Sequence, residues 1–304
     1  MSDHMICIEW GTARLRARVI DGQGRTVETH AEAVRLADLD RSGIAERIDG
    51  LRRRWRDVPG PMILSGMIGS GMGWQDIARV NCPASAKTIA DGAVMADIGS
   101  QAVVFLPGLA CVSRFGDPDV LRGEEVAAIG ALAQPRGLPG LLLSVPGMHG
   151  KWMTHNGAAI TQFHTSMTVE LYRVLAERSV LAPLMAAHPV EGVAFRTGVA
   201  RGAEGGGLAR LLFAARSAVQ AGALDTGGTA SLLWGLLIGA DVRENLPLAP
   251  DAICLVAGDA AVAPLFAAAI RQLGGAAEVG DADQLTATGF RHLAMLLRTK
   301  GILA

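Results

Sequence analysis

MICIEWGTARLRARV, residues 5–19, decides the fold. Met5-Ile6-Cys7-Ile8 is a short apolar run that ends at Glu9, and Gly11-Thr12 is a tight polar turn. Leu15, Ala17 and Val19 then alternate with Arg14, Arg16 and Arg18, so the pattern predicts strand, turn, strand. Such a bend suits a polyanion. Glycine lets backbone N–H groups approach phosphate oxygens, a hydroxyl adds a donor, and a carboxylate can hold a nucleotide's Mg²⁺. An ordinary exposed hairpin has the same pattern, so the reading needs support from the rest of the chain.

That support has to come from a chain of 304 residues, half of them apolar, with 38 glycines and one tyrosine. These values predict a turn-rich α/β protein with room for two cores. Lys plus Arg is 28 against 29 Asp plus Glu, which offers no basic surface for nucleic acid or membrane. The apolar runs are too short or interrupted to span a bilayer, and no secretory leader is visible, so a cytoplasmic protein is expected. Cys7, Cys82, Cys111 and Cys254 lie far apart and read as reduced thiols.

A helix is expected over 42–57, its stripe formed by Ile44, Ile48, Leu51 and Trp55; the Arg52–Arg54 and Arg56 run reads as its solvated face. The strand at 61–64 leads into SGMIGSGMGW, residues 65–74, a glycine loop at a strand end, where open α/β sheets bind ligands. It lacks the G-x-G-x-x-G spacing of a dinucleotide loop. Arg122-Gly123-Glu124-Glu125 opens a helix, where carboxylates suit the dipole either as caps or as reactive groups. Residues 134–140, rich in Pro and Gly, read as a linker dividing domains at 1–134 and 135–304, with the last helix free to return to the first. Beyond it the opening plan recurs: a strand at 141–145, then the bend Gly147-Met148-His149-Gly150-Lys151 and a second strand. Residues 150–151 are not a P-loop tail, since the upstream Gly and the Ser or Thr are missing. Phe195 to Gly207 reads as a glycine-rich turn, 232–243 as a helix closely packed at Gly235 and Gly239, and 253–257 as a buried strand ending at Gly258-Asp259.

Taken in order, these segments resemble the 2-dehydro-3-deoxygalactonokinase family, sugar-acid kinases of the acetate-and-sugar-kinase/actin/heat-shock-chaperone superfamily. The resemblance rests on Trp10-Gly11-Thr12 with Leu15-Arg16, residues 65–70 with Gly73-Trp74, Pro107-Gly108, residues 122–125, and Pro146-Gly147 with His149 and Lys151-Trp152. Phe163 with Thr165, Thr168 and Glu170, residues 235–240 and 255–258 complete it. It implies an α/β fold of two ribonuclease H-like domains with mixed five-stranded sheets around an interdomain nucleotide cleft. It also implies ATP-dependent phosphorylation of the 6-hydroxyl of 2-dehydro-3-deoxy-D-galactonate. Gly11, Thr12 and Arg16, with Gly147, Met148, His149 and Gly150, would meet phosphate; Gly258 and Asp259 would border adenosine. Gly66, Met67, Ser70 and Trp74, with Thr165 and Thr168, would meet the sugar acid. Glu124 or Glu125 would be the base and Lys151 would counter developing charge. Glu9 stands where the family usually has Asp and would hold Mg²⁺. Domain closure about 134–140 would exclude water. A homodimer, a kinase of another sugar acid, and a non-catalytic sensor on the same fold are the further expectations.

Overall fold

The computed structural model describes residues 4–134, 140–145, 147–248 and 251–303. Most of the expected 134–140 linker and Pro146 therefore lie outside the described residues. The chain forms two compact units: Met1–Leu138 with His155–Phe163 and Asp281–Ala304, and Pro139–Thr154 with His164–Gly280. The C-terminal helix thus groups with the first unit, as does the short stretch 155–163.

In the first unit the Met5–Trp10 strand pairs antiparallel with Leu15–Ile20, which pairs antiparallel with Thr26–Glu32. On its other side it runs parallel to Met62–Gly66, which runs parallel to Gln101–Phe105. A sixth strand, Val94–Ile98, adds antiparallel at the edge, so this mixed sheet is one strand wider than expected. Ile6, Ile8, Trp10 and Leu64 pack with Ile44, Ile48 and Leu51 of the Arg41–Arg54 helix, which Asp40 caps by accepting from the Gly43 N–H at 2.7 Å. Trp55 lies just past that helix's end and still packs in the same core.

The helices Glu124–Leu132 and Ala282–Thr299 cross at unusually short range in the first unit. A Cβ at Gly130 would overlap the Leu285 carbonyl oxygen, and one at Gly289 the Val126 carbonyl oxygen. Only glycine lets the two backbones meet there.

In the second unit the strands Ala276–Gly280, Ile253–Gly258, Gly140–Val145 and Gly150–His155 lie side by side in that order, and the first three run parallel. Residues 195–204, expected as part of a glycine-rich turn, are instead helical within Val193–Glu204. Gly198 lies against Gly235 of the Thr229–Asn245 helix, Gly202 against the Leu236 backbone of that helix, and its Gly239 against the Val199 backbone. The glycines serve a helix crossing, and the burial it brings outweighs their poor propensity. Only Gly205, Gly206 and Gly207 remain as the turn, all at positive φ.

Asp241 is the polar centre of this unit. It accepts from Trp152 Nε1 at 2.9 Å, from the Ser166 and Thr168 hydroxyls at 2.6 Å each, and from Asn245 Nδ2 at 3.0 Å. Burial raises its pKa and the Ser166, Thr168 and Trp152 donors oppose the shift. Removing one partner of such a network leaves the rest unsatisfied. Asp241→Leu is expected to lower stability by about 3 kcal/mol, read as an earlier urea midpoint.

Candidate active site

Three motifs far apart in sequence converge in the first unit. Glu9 lies opposite Arg16 on one neighbouring strand and opposite Ser65 on the other. Gly66, at φ +94°, closes on the same strand: a Cβ there would stand 2.7 Å from the Trp10 carbonyl oxygen. Gly123, at φ +110°, brings the next turn within reach, since its Cβ would stand 3.5 Å from Gly66 Cα. The end of the first strand, the head of the glycine loop and the start of the Glu124 helix therefore share one place.

The two carboxylates of that helix have different environments. Glu125 is fully buried; Ser65 Oγ donates to its Oε1 at 2.7 Å and the Gly123 N–H to its Oε2 at 2.5 Å. Burial pushes its carboxyl up to about 7, with the Ser65 hydrogen bond opposing and the Glu124 charge reinforcing. Glu124 is half-buried and close enough to Glu9 to raise that carboxyl as well. Glu125 is thus the anchored group and Glu124 the less buried of the two, with its Oε2 enclosed.

The environment of Glu125 has a measurable consequence. Between pH 4.5 and about 7 the folded chain holds a proton on Glu125 that the unfolded chain has released, so stability falls as pH rises through that window. Glu125→Gln is expected to flatten this slope and to gain roughly 3 kcal/mol at pH 8, an amount set by the shift between those two values. Urea melts from pH 4 to 8 measure it.

Arg18 was not foreseen as a site neighbour. Alternation puts it on the exposed face with Arg14 and Arg16, but its side chain is 2% exposed. It donates to Glu9 Oε2 at 2.5 Å and to the Asp283 carbonyl oxygen at 3.0 Å. Arg16 reaches Asp283 Oδ1 at 3.2 Å. The first turn of the Ala282–Thr299 helix covers this face of the hairpin, and no local signal around residue 18 announces it. Burial raises the Glu9 pKa, and Arg18 and then Arg16 act against that rise.

The glycine loop is held from both ends. The Trp74 N–H donates to the Ile68 carbonyl at 2.9 Å and Ser70 Oγ to the Met67 carbonyl at 2.6 Å. The Arg41 guanidinium lies 4.5 Å from the centre of the Trp74 ring. Gly11 differs from Gly66, for its φ is unexceptional and a Cβ there would meet nothing closer than the Arg14 carbonyl at 3.8 Å.

The second unit brings its own two predicted loops together. The Asp259 N–H donates to the Val145 carbonyl at 2.9 Å, and Gly258 lies so close to Val145 that a Cβ would overlap it. Both sit at the carboxyl ends of parallel strands, where such sheets bind ligands. Met148 and His149 are tied to the helix Thr168–Arg178, through Glu170 N–H to the Met148 carbonyl at 3.0 Å and His149 Nε2 to Glu170 Oε2 at 2.7 Å. Gly150 is buried, and Gly147 faces open space at an ordinary φ. Lys151 donates to Thr165 Oγ1 at 2.6 Å, whereas the Thr168 hydroxyl lies inside the Asp241 network and is not offered to a ligand.

Known proteins resemble this chain over nearly its whole length. The model of the family described as 2-keto-3-deoxy-galactonokinase matches residues 9–293. The 2-dehydro-3-deoxygalactonokinase of Escherichia coli K12 is 31% identical over 85% of this chain and 86% of its own. A solved structure of a Sinorhizobium meliloti protein, provisionally described as a 2-dehydro-3-deoxygalactonokinase, is 27% identical with a TM-score of 0.86, covering 97% of this chain and 99% of that one. The activator of 2-hydroxyisocaproyl-CoA dehydratase from Clostridium difficile, solved with bound ADPNP, shares the fold at a TM-score of 0.53 and 10% identity, over 98% of this chain and 96% of that one. With nearly its whole length matched, the chain belongs to the 2-keto-3-deoxy-galactonokinase family.

Proposed function

We propose that this chain transfers the γ-phosphoryl group of ATP to the 6-hydroxyl of 2-dehydro-3-deoxy-D-galactonate, giving the 6-phosphate, as a cytoplasmic enzyme of galactonate catabolism. The observation that carries the reading is the meeting of the Glu9–Thr12 turn, the Gly66 loop and the Gly123–Glu125 turn in one unit. No helix among the described residues is long and apolar enough to cross a membrane.

Phosphoryl transfer needs positioning, neutralised charge and a group to take the attacking hydroxyl's proton. Glu124 takes that proton. Glu125, held by Ser65 and the Gly123 N–H, fixes the turn that presents Glu124. Gly66, Met67, Ser70 and Trp74 line the sugar acid. Gly11, Thr12, Arg16, Gly147, Met148, His149 and Gly150 serve the phosphates, and Gly258 with Asp259 borders the adenosine. The absence of a steric demand for glycine at 11 and 147 supports this, because a ligand's close approach would supply the demand that the fold does not. Lys151, oriented by Thr165, counters charge on the transferred group.

A divalent metal accompanies ATP in a kinase of this kind, and the donor set suits one delivered on the nucleotide. Among the described residues no group of three or more His, Cys, Asp or Glu could cage an ion. A phosphate-bound Mg²⁺ needs one or two carboxylates and keeps several waters. Glu9, with Oε2 taken by Arg18, would hold Mg²⁺ through water. When bound, the ion neutralises charge on the β- and γ-phosphates.

The test is a coupled ADP-release assay with this acid, ATP and Mg²⁺. Turnover that depends on the acid is expected; no acid-dependent ADP at millimolar concentrations overturns the reading.

A further inference from the structure

Beside the glycine loop lies an arginine pair that the proposed chemistry has not used. The Arg122 side chain is 3% exposed. Its Nη2 donates to Asp76 Oδ1 at 3.0 Å and to the Ile77 carbonyl oxygen, while Nε and Nη1 are buried with no hydrogen-bond partner among the described residues. Nη1 lies beneath the loop, 3.6 Å from where a Gly69 Cβ would stand. Gly108 packs directly on the Arg122 side chain, and its carbonyl accepts from the Val80 N–H at 2.9 Å.

Arg79 sits between these two fixed points. Ile77, two residues before it, binds Arg122, and Val80, one residue after it, is tied to Gly108. Arg79 is exposed and enters no hydrogen bond or ion pair among the described residues. Its charge adds to burial in lowering the Arg122 pKa, with Asp76 and Glu125 opposing. Asp76 is ion-paired to Arg122, and Arg79, with no partner of its own among the described residues, adds a second positive charge beside that pair next to the Gly66–Trp74 loop. Like charges kept close together repel, and an added anion relieves that repulsion.

Accepting the kinase reading above, we propose that Arg79, backed by the buried Arg122 guanidinium, receives the carboxylate of the sugar acid and so selects acids over neutral sugars. A guanidinium fork matches a carboxylate in a fixed orientation, which aims the far end of the substrate, and its hydroxyl, away from the loop. Arg122, already pinned through Nη2, keeps the field in place without moving.

The experiment compares wild type with Arg79→Gln and Arg79→Lys, using 2-dehydro-3-deoxy-D-galactonate and its carboxamide. Arg79 is exposed, so both variants are expected to melt with the wild type. Arg79→Gln should raise the KM for the acid roughly 10- to 100-fold while the KM for ATP moves less than about twofold, and Arg79→Lys should fall between. The preference of wild type for the acid over the carboxamide should collapse in Arg79→Gln. An unchanged acid KM in folded Arg79→Gln, or a rise confined to ATP, overturns the subsite alone. A wild type that neither turns over nor binds the acid by calorimetry overturns the kinase reading and the subsite with it.

Discussion

Glu124→Gln is expected to lower kcat by roughly 10²- to 10⁴-fold, the loss typical of a general base. The amide keeps the shape of the side chain and removes its ability to accept the hydroxyl's proton. The acid and ATP should bind with KM values close to wild type, because the lost interaction belongs to the transition state. Stability should change little, since Glu124 is half-buried and the anchoring bonds of this turn belong to Glu125. Glu125→Gln supplies the control: its amide oxygen can accept from the Gly123 N–H and its amino group can donate to Ser65, so the turn survives. Initial-rate kinetics on both variants settle the assignment. Glu124→Gln within tenfold of wild-type kcat removes Glu124 as the base, and a far larger loss in Glu125→Gln transfers the role.

Gly130→Ala and Gly235→Ala are expected to be the most damaging substitutions to the fold. On helix propensity alone each would stabilise by about 1 kcal/mol, since alanine loses less entropy than glycine in a helix interior. Packing reverses the sign. The new methyl would overlap the Leu285 carbonyl oxygen in the first case and the Phe195 carbonyl oxygen in the second. In both the obstacle is the backbone of a facing helix, which cannot rotate aside as a side chain can. The helices must separate and open their interface, at about 3 kcal/mol or more. A drop in melting temperature of roughly 6–12 °C would accompany a loss of that size. Gly147→Ala is the contrast, because a Cβ there meets nothing within 4 Å. It should melt within about 0.5 kcal/mol of wild type, and its effect should be on the KM for ATP. Equal melting of all three proteins would show that the helix crossings are not held by glycine.

The two arginines beside the glycine loop give the same place a chemical preference. The base, the loop and the cationic wall all lie within contacts made by residues 65–125. A change at residue 79 should be read in substrate choice, whereas one at residue 124 should be read in turnover.

The sequence by itself determined the strands and the order of the motifs. Alternation and apolar runs marked the first hairpin, the 61–64 strand and the 253–257 strand, because a half-buried or buried strand leaves a period that survives in one dimension. Glycines at strand ends marked the loops, and their order identified the family. Tertiary structure decided what depends on partners distant in the chain. Arg18 reads as exposed until the helix at 282–299 covers it, 265 residues from its acceptor Asp283. The glycines at 198 and 202 read as turn residues until the Thr229–Asn245 helix, with Gly235 and Leu236, packs across from them. Thr168 reads as a ligand contact until Asp241, 73 residues away, takes its hydroxyl. Glu124 and Glu125 are equivalent letters, and it takes Ser65, 60 residues upstream of Glu125, together with the Gly123 N–H to make Glu125 the anchor and leave Glu124 the less buried of the two. Burial and hydrogen bonding are properties of neighbours in space, and the local pattern of a chain carries only the neighbours next to it in sequence.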